Sequence, residues 1–195
     1  NPLLFSIVAV IAILLACNID YDTYYNGAQY LSYLLTPATV CLAVPLYEQI
    51  HLLKKNLKAV AAGIISGTLA GLCSILLMAR LFGFNHQEYV TMLPKSITTA
   101  IGMGVSEELG GIVTITVAVI IITGVLGNMI AEVVYKIAKI EEPIARGLGL
   151  GTSAHAIGTA KAMELGPVEG AMSSLAIAVA GLLTVVGASV FAGMM

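Results

Sequence analysis

The side chains best suited to chemistry lie in two short stretches, Pro94–Gly110 (PKSITTAIGMGVSEELG) and Leu150–Gly166 (LGTSAHAIGTAKAMELG). The first opens with Pro94, Lys95, Ser96, Thr98 and Thr99, the second with Gly151, Thr152, Ser153 and His155. A cation, an imidazole and a set of hydroxyl donors are the groups that hold a small anion such as a carboxylate. The same residues make a poor catalyst. Ser153 and His155 stand at i, i+2 and do not share a helix face, as i, i+3 or i, i+4 residues would. The chain has no GxSxG elbow, HExxH or CxxC. The expectation is a protein that is not an enzyme and carries no cofactor and no metal.

The two stretches are copies. Both read A-I-G, five variable residues, then E-L-G, and Gly102 and Gly158 stand 56 residues apart in the aligned pair. Each copy is followed by a long apolar segment. Duplicated units in a hydrophobic chain are the mark of membrane carriers whose binding site lies between repeats at mid-membrane. The plainer alternative is that both copies are glycine-rich helix packing surfaces.

Composition supports a membrane setting. Of 195 residues 58% are hydrophobic and 10% charged, with mean hydropathy +0.97, against a charged fraction of about 25% in water-soluble domains. A net charge of −2 with no basic cluster and no Trp excludes a nucleic-acid partner. Cys17, Cys41 and Cys73 lie in apolar runs and read as packing residues. The chain begins at Asn1 rather than Met, so a preceding signal or helix of a longer protein is expected.

Five segments free of charged residues, Asn1–Ile19, Thr23–Tyr47, Ala59–Ala79, Gly111–Ala131 and Gly170–Met195, reach the roughly 20 residues a spanning helix needs. The second should be kinked at Pro37 and Pro45. The tyrosine-rich tract Tyr21–Tyr33 suits an interfacial belt. Topology then decides how the copies run. If each copy crosses fully, Lys54, Lys55 and Lys58 fall on the side opposite Lys136, Lys139 and Arg146, against the tendency of basic residues to share the cytoplasmic side. If each is re-entrant, all six share one side, together with Lys161. The reading is therefore an all-α integral membrane protein with inverted repeats. Two re-entrant or broken-helix segments, 94–110 and 150–166, meet near the bilayer midplane, with tips at Pro94-Lys95-Ser96 and Gly151-Thr152-Ser153. Residues 1–195 form a single domain: 1–83 scaffold and first spans, 84–138 the first repeat, 139–195 the second.

At each tip a helix begins, and its free N–H groups and positive dipole end favour an anion. Ser96, Thr152 and Ser153 serve as N-caps or as ligand donors. Lys95 either extends to the interface along its stem or acts as counter-charge to a carboxylate, since intramembrane charges are functional by default. His155 is either a hydrogen-bonded structural group or a proton partner. Glu108 and Glu164 sit at the outer feet of the arms. Pro94, Gly102, Gly151 and Gly158 supply the turns and hinges.

PKSITTAI followed by ELGG, PIARGLGLGTSAHAIGTAKAMELG and EGAMSSLAIAVAG closely resemble the LrgB/CidB family of bacterial membrane proteins, as do NPLLFSIV, LTPATVCLAVPLYEQ and LKAVAAGIISG. The resemblance covers essentially the whole chain, with Pro143–Gly166 its most specific part. It implies a multi-pass protein of the cell (inner) membrane and two functional stories. Bacterial members are antiholin-like or holin-like proteins that influence murein hydrolase activity and cell lysis beside a small LrgA/CidA-type partner. Plant plastid relatives exchange glycolate and glycerate, and some bacterial pairs are implicated in pyruvate movement. The expectation from residues and resemblance together is a secondary transporter of small 2-hydroxy or 2-oxo monocarboxylates (pyruvate, lactate, glycolate, glycerate). Its other features would be proton coupling, alternating access and a homodimer, and Lys95, Ser96, Thr98, Thr99, Thr152, Ser153 and His155 would bind substrate. The alternative is holin-like or antiholin-like control of lysis.

Overall fold

A computed structural model describes residues 2–34, 37, 40–41 and 43–195. These residues are helical, with no strand among them, and they divide into two units, Asn1–Val44 and Pro45–Met195.

The first unit holds α1 (Pro2–Ala16) and α2 (Tyr21–Ser32). At 15 residues and 1.5 Å per residue, α1 is about 22 Å long, shorter than the span expected over Asn1–Ile19. Asn18, at φ 51°, turns the chain, a conformation that Asn tolerates better than most residues. Asp20 then caps α2, accepting from the Thr23 hydroxyl (2.6 Å) and amide (2.9 Å). These bonds hold its carboxyl below the usual carboxylate range. Tyr21 and Tyr25 stack one turn apart, 5.7 Å between ring centres. The kink expected at Pro37 falls where Thr36 and Ala38 lie outside the described residues. Pro45 lies within α3 (Ala43–Glu48) and its carbonyl accepts from Gln49, so α3 runs through it, whereas α2 ends at Ser32 inside the second expected span.

Three helices of the second unit are long and apolar enough to cross a membrane, α5 (Leu57–Phe82), α8 (Val113–Ile137) and α10 (Pro167–Ala192). Three of the five expected spans therefore stand as single helices among the described residues. Short α4 (Ile50–Lys55) precedes α5. Between the long helices lie two hairpins that contain the copied stretches. The first is α6 (His86–Met92), a turn over residues 93–98, and α7 (Thr99–Glu108). The second is α9 (Pro143–Leu165), broken at His155, where φ is 42° and ψ −137°.

Contacts along α8 show how both stretches run. Arg146 and Leu165, near the two ends of α9, line one hollow with Tyr135 and Lys139, while His155 reaches back to Ile120. On α10, a Cβ on Gly147 would meet Glu169 and a Cβ on Gly170 would meet Met163, whereas Thr159 bonds Ser173 further along. The chain thus enters at the C-terminal end of α8, reverses at His155 and returns to the end it came from. The first stretch enters from the opposite end. Gln87 reaches the Gly110 carbonyl, Thr91 bonds Ile112 and Thr116, and Gly102 packs on Ile120. Gly102, in the first turn of α7 after the first reversal, and His155, at the second reversal, therefore both meet α8 at Ile120.

The core repeats this arrangement. One apolar cluster joins the C-terminal ends of α5 and α10 (Ile75, Ala79, Phe191) to Tyr89, Val90 and Leu93 of the first hairpin. Another joins their N-terminal ends (Val60, Ile64, Met172) to Leu148 of the second.

Glycines set these distances. A Cβ on Gly151 would lie 2.5 Å from the Ser173 carbonyl oxygen and 2.6 Å from the Ala176 Cβ, whereas one on Gly104 would meet nothing within 4 Å. Backbone on one side and a buried helix on the other leave no room to yield. Gly151→Ala should lower stability by about 1–3 kcal/mol through overpacking, and Gly104→Ala should leave it unchanged or raise it by about 0.4–1 kcal/mol. Melting in detergent measures both.

Candidate anion site at the hairpin tips

Two broken helices inside an apolar bundle expose backbone groups that must find partners, because unmet ones cost several kcal/mol each in hydrocarbon. At the second tip a side chain supplies one partner. Buried His155 (3% exposed) places Nε2 2.9 Å from the Ile120 carbonyl oxygen, and since a carbonyl only accepts, the ring donates. Gly124 makes the space, as a Cβ there would lie 2.7 Å from the imidazole. Asn128 donates to the Ile157 carbonyl (3.1 Å) just beyond the break.

At the first tip Lys95, half-buried, donates from Nζ to Ser96 Oγ at 3.0 Å. Among the described residues no carboxylate lies within ion-pair distance of Lys95; the ion pairs there join Lys161 to Glu132 and Glu164. Its charge therefore has no counter-ion among the described residues.

The tips share a cavity. A small space of about 10 Å³ is lined by Ser96 and Leu93 of the first hairpin, Thr152 of the second, Gly67, Thr68 and Leu72 of α5, and Thr184 of α10; Lys95 and His155 lie outside its lining. A groove of about 590 Å³ reaches it along α5 and the entering arm of α9, from Asn56 and Glu142 to Gly67 and Thr152. Gly63, Gly67 and Gly71, each one turn apart, form the floor. A Cβ on Gly67 would lie 2.8 Å from Thr152 Oγ1, one on Gly63 2.9 Å from Leu148, and one on Gly71 4.0 Å from Ser96 Oγ.

The expected site residues separate. Lys95, Ser96, Thr152 and His155 belong to the tips. Ser153 is exposed and its hydroxyl bonds Gly149 within its own helix. Thr98, not Ser96, is the N-cap of α7, and its side chain makes no cap bond. Neither Thr98 nor Thr99 lines the shared cavity. The second reversal falls at His155 rather than at Gly151-Thr152-Ser153, because Gly151 is used to pack against Ser173 and the entering helix continues through it. Gly102 and Gly158 are packing positions; a Cβ on Gly158 would lie 2.7 Å from the Leu150 carbonyl, so Gly158 lets the two arms of its hairpin touch.

Sequence reasoning missed Thr68, Thr184 and the Ile120 carbonyl. The four-residue spacing of Gly63, Gly67 and Gly71 was the available signal, since it marks a helix face that another backbone approaches. Thr68 follows Gly67 directly.

Comparison with known proteins places the whole chain. The model of the LrgB-like family matches residues 1–194. The "Holin-like protein CidB" of Staphylococcus epidermidis is 37% identical over 184 residues, covering 94% of this chain and 80% of that protein. The protein of the same name from Staphylococcus aureus is 36% identical over the same shares. No solved structure matches.

A left-handed φ at a non-glycine residue costs about 1–3 kcal/mol unless surroundings compensate. His155→Ala keeps that strain and loses the bond to Ile120, whereas His155→Gly loses the bond and relieves the strain. The glycine variant should therefore be more stable than the alanine variant by about 1 kcal/mol or more, as read from paired denaturation curves in detergent.

Proposed function

As the chain belongs to the LrgB-like family of multi-pass cell-membrane proteins, we propose that it passes small monocarboxylate anions across the bilayer through the site between its hairpin tips. One observation carries this reading: Lys95, a cation with no carboxylate within ion-pair distance among the described residues, bonds Ser96, which lines a small space together with Thr152 of the second hairpin. An intramembrane charge is costly and is retained where it meets a ligand. The hydroxyls around it and the N-terminus of α7 add donors suited to a carboxylate. Inverted repeats, alternating access of the hairpin pair against the other helices, proton coupling, a homodimer and a small LrgA/CidA-type partner belong to the same proposal. Glycolate, glycerate, lactate and pyruvate are the acids to test.

A second reading is holin-like control of lysis, with permeabilisation or hydrolase export as the output. The names of the relatives favour it over carboxylate transport. The two readings join if lysis control is a downstream effect of anion or proton flux.

Proteoliposomes separate them. The carrier reading predicts saturable uptake of one or two labelled acids with a bulky dye retained, and loss of that uptake in Lys95→Ala while the protein stays folded. Dye leakage without saturation supports the holin-like pore. Unchanged uptake by Lys95→Ala removes Lys95 from the site.

A further inference from the structure

Thr68 carries a buried hydroxyl that the protein itself does not meet. Its Oγ1 finds no hydrogen-bond partner among the described residues, and the residue, 7% exposed, lines the small space between both hairpins, α5 and α10. A helical threonine normally bonds the carbonyl three or four residues back. Thr152 does so, with Leu148 at 2.8 Å. Thr68 makes no such bond to Ile64 or Ile65, although an unmet hydroxyl in an apolar bundle is costly.

The neighbouring hydroxyls restrict what can meet it. Ser96 Oγ accepts from Lys95 Nζ at 3.0 Å, which leaves its own hydrogen to give. Thr152 gives its hydrogen to the Leu148 carbonyl, which leaves its oxygen to accept. A group that serves both must accept on one side and donate on the other. A metal cation cannot take the Ser96 hydrogen, and the ammonium group of Lys95 beside Ser96 opposes its charge. A halide or a carboxylate oxygen has no hydrogen for Thr152. Water does both, and about 10 Å³ is the room that one water needs. Thr68, Ser96, Thr152 and Thr184 around the space match the roughly three bonds a buried water makes.

We infer that the space at Thr68 is the site of a single buried water, which accepts from Ser96, donates to Thr152 and pairs the Thr68 hydroxyl. One molecule thereby joins the first hairpin to the second and both to α5. It also carries the Lys95–Ser96 bond on to the end of the wide groove, since Gly67 and Thr152 line both spaces whereas Lys95 lines neither. The inference holds whatever solute the protein passes.

Radiolytic hydroxyl labelling of the protein in lipid vesicles tests it, because an X-ray pulse turns a trapped water into a radical that oxidises the side chains around it. Leu72 (3% exposed) and Leu93 (1%) line the space, whereas Leu150 (2%) and Ile64 (1%) are buried as deeply and line neither the space nor the groove. Oxidation is expected at Leu72 and Leu93, not at Leu150 or Ile64, and should be lost in Thr68→Val, which keeps shape and removes the hydroxyl. Leu72 and Leu93 as unmodified as Leu150 in the native protein would overturn the site. Native-level oxidation in a folded Thr68→Val would overturn it too, since the water would not depend on Thr68. Melting in detergent checks that the variant folds, and the native comparison decides alone if it does not. Melting in sodium, potassium and choline chloride separates water from a cation. Equal melting temperatures are expected; a rise in one salt that Thr68→Val abolishes would make the space a cation site and overturn the water.

Discussion

Everything in the second unit follows from one constraint: a helix interrupted inside an apolar bundle must have its freed backbone groups met by protein. Here two interruptions share that requirement at one level. Ile120 lies under both, with Gly102 packed on its side chain and His155 bonded to its carbonyl. Close approach is what makes this workable. Gly63, Gly67 and Gly71 on α5, Gly124 and Gly127 on α8, and Gly147 and Gly151 on the hairpin itself remove the Cβ atoms that would hold the backbones apart. Without a hydrophobic force between helices in lipid, such packing and the hydrogen bonds it permits are the main source of association.

The two hairpins are fastened to different neighbours. Buried Thr116 links the first to α8, its hydroxyl donating to the Thr91 carbonyl (2.9 Å) and accepting from the Ser106 hydroxyl (2.7 Å). Thr159 and Ser173, 2.7 Å apart, link the second to α10. The Lys161–Glu132 pair, with Glu132 largely exposed, adds little by comparison, since water screens exposed ion pairs.

Much of this was legible in the sequence because it is local. The A-I-G and E-L-G copies marked the hairpins, and the placing of Lys54, Lys136 and Arg146 favoured re-entry; the arms of α9 do return to one end. What was not legible depends on contacts between distant segments. Gly151 has the composition of a turn, yet Ser173 claims it for packing and the reversal moves to His155, where a carbonyl 35 residues away supplies the bond. Ser153 read as a ligand donor and instead bonds its own helix. Thr68 sat in what looked like a plain span, and only the convergence of α5, α10 and both tips gives its hydroxyl a place to act. In the first unit, the expected spans depended on length alone. α1 falls short of it, and the kink expected at Pro37 falls where Thr36 and Ala38 lie outside the described residues.

The most direct check of the account is whether the two tips face one another in the membrane. Ser96→Cys with Thr152→Cys, in a protein whose Cys17, Cys41 and Cys73 are replaced by Ala, should cross-link within one chain under mild oxidation in native membranes. Each single variant should react with a thiol reagent without doing so. Two reactive cysteines that never cross-link would contradict the meeting of the tips, and with it the shared site on which the functional reading rests.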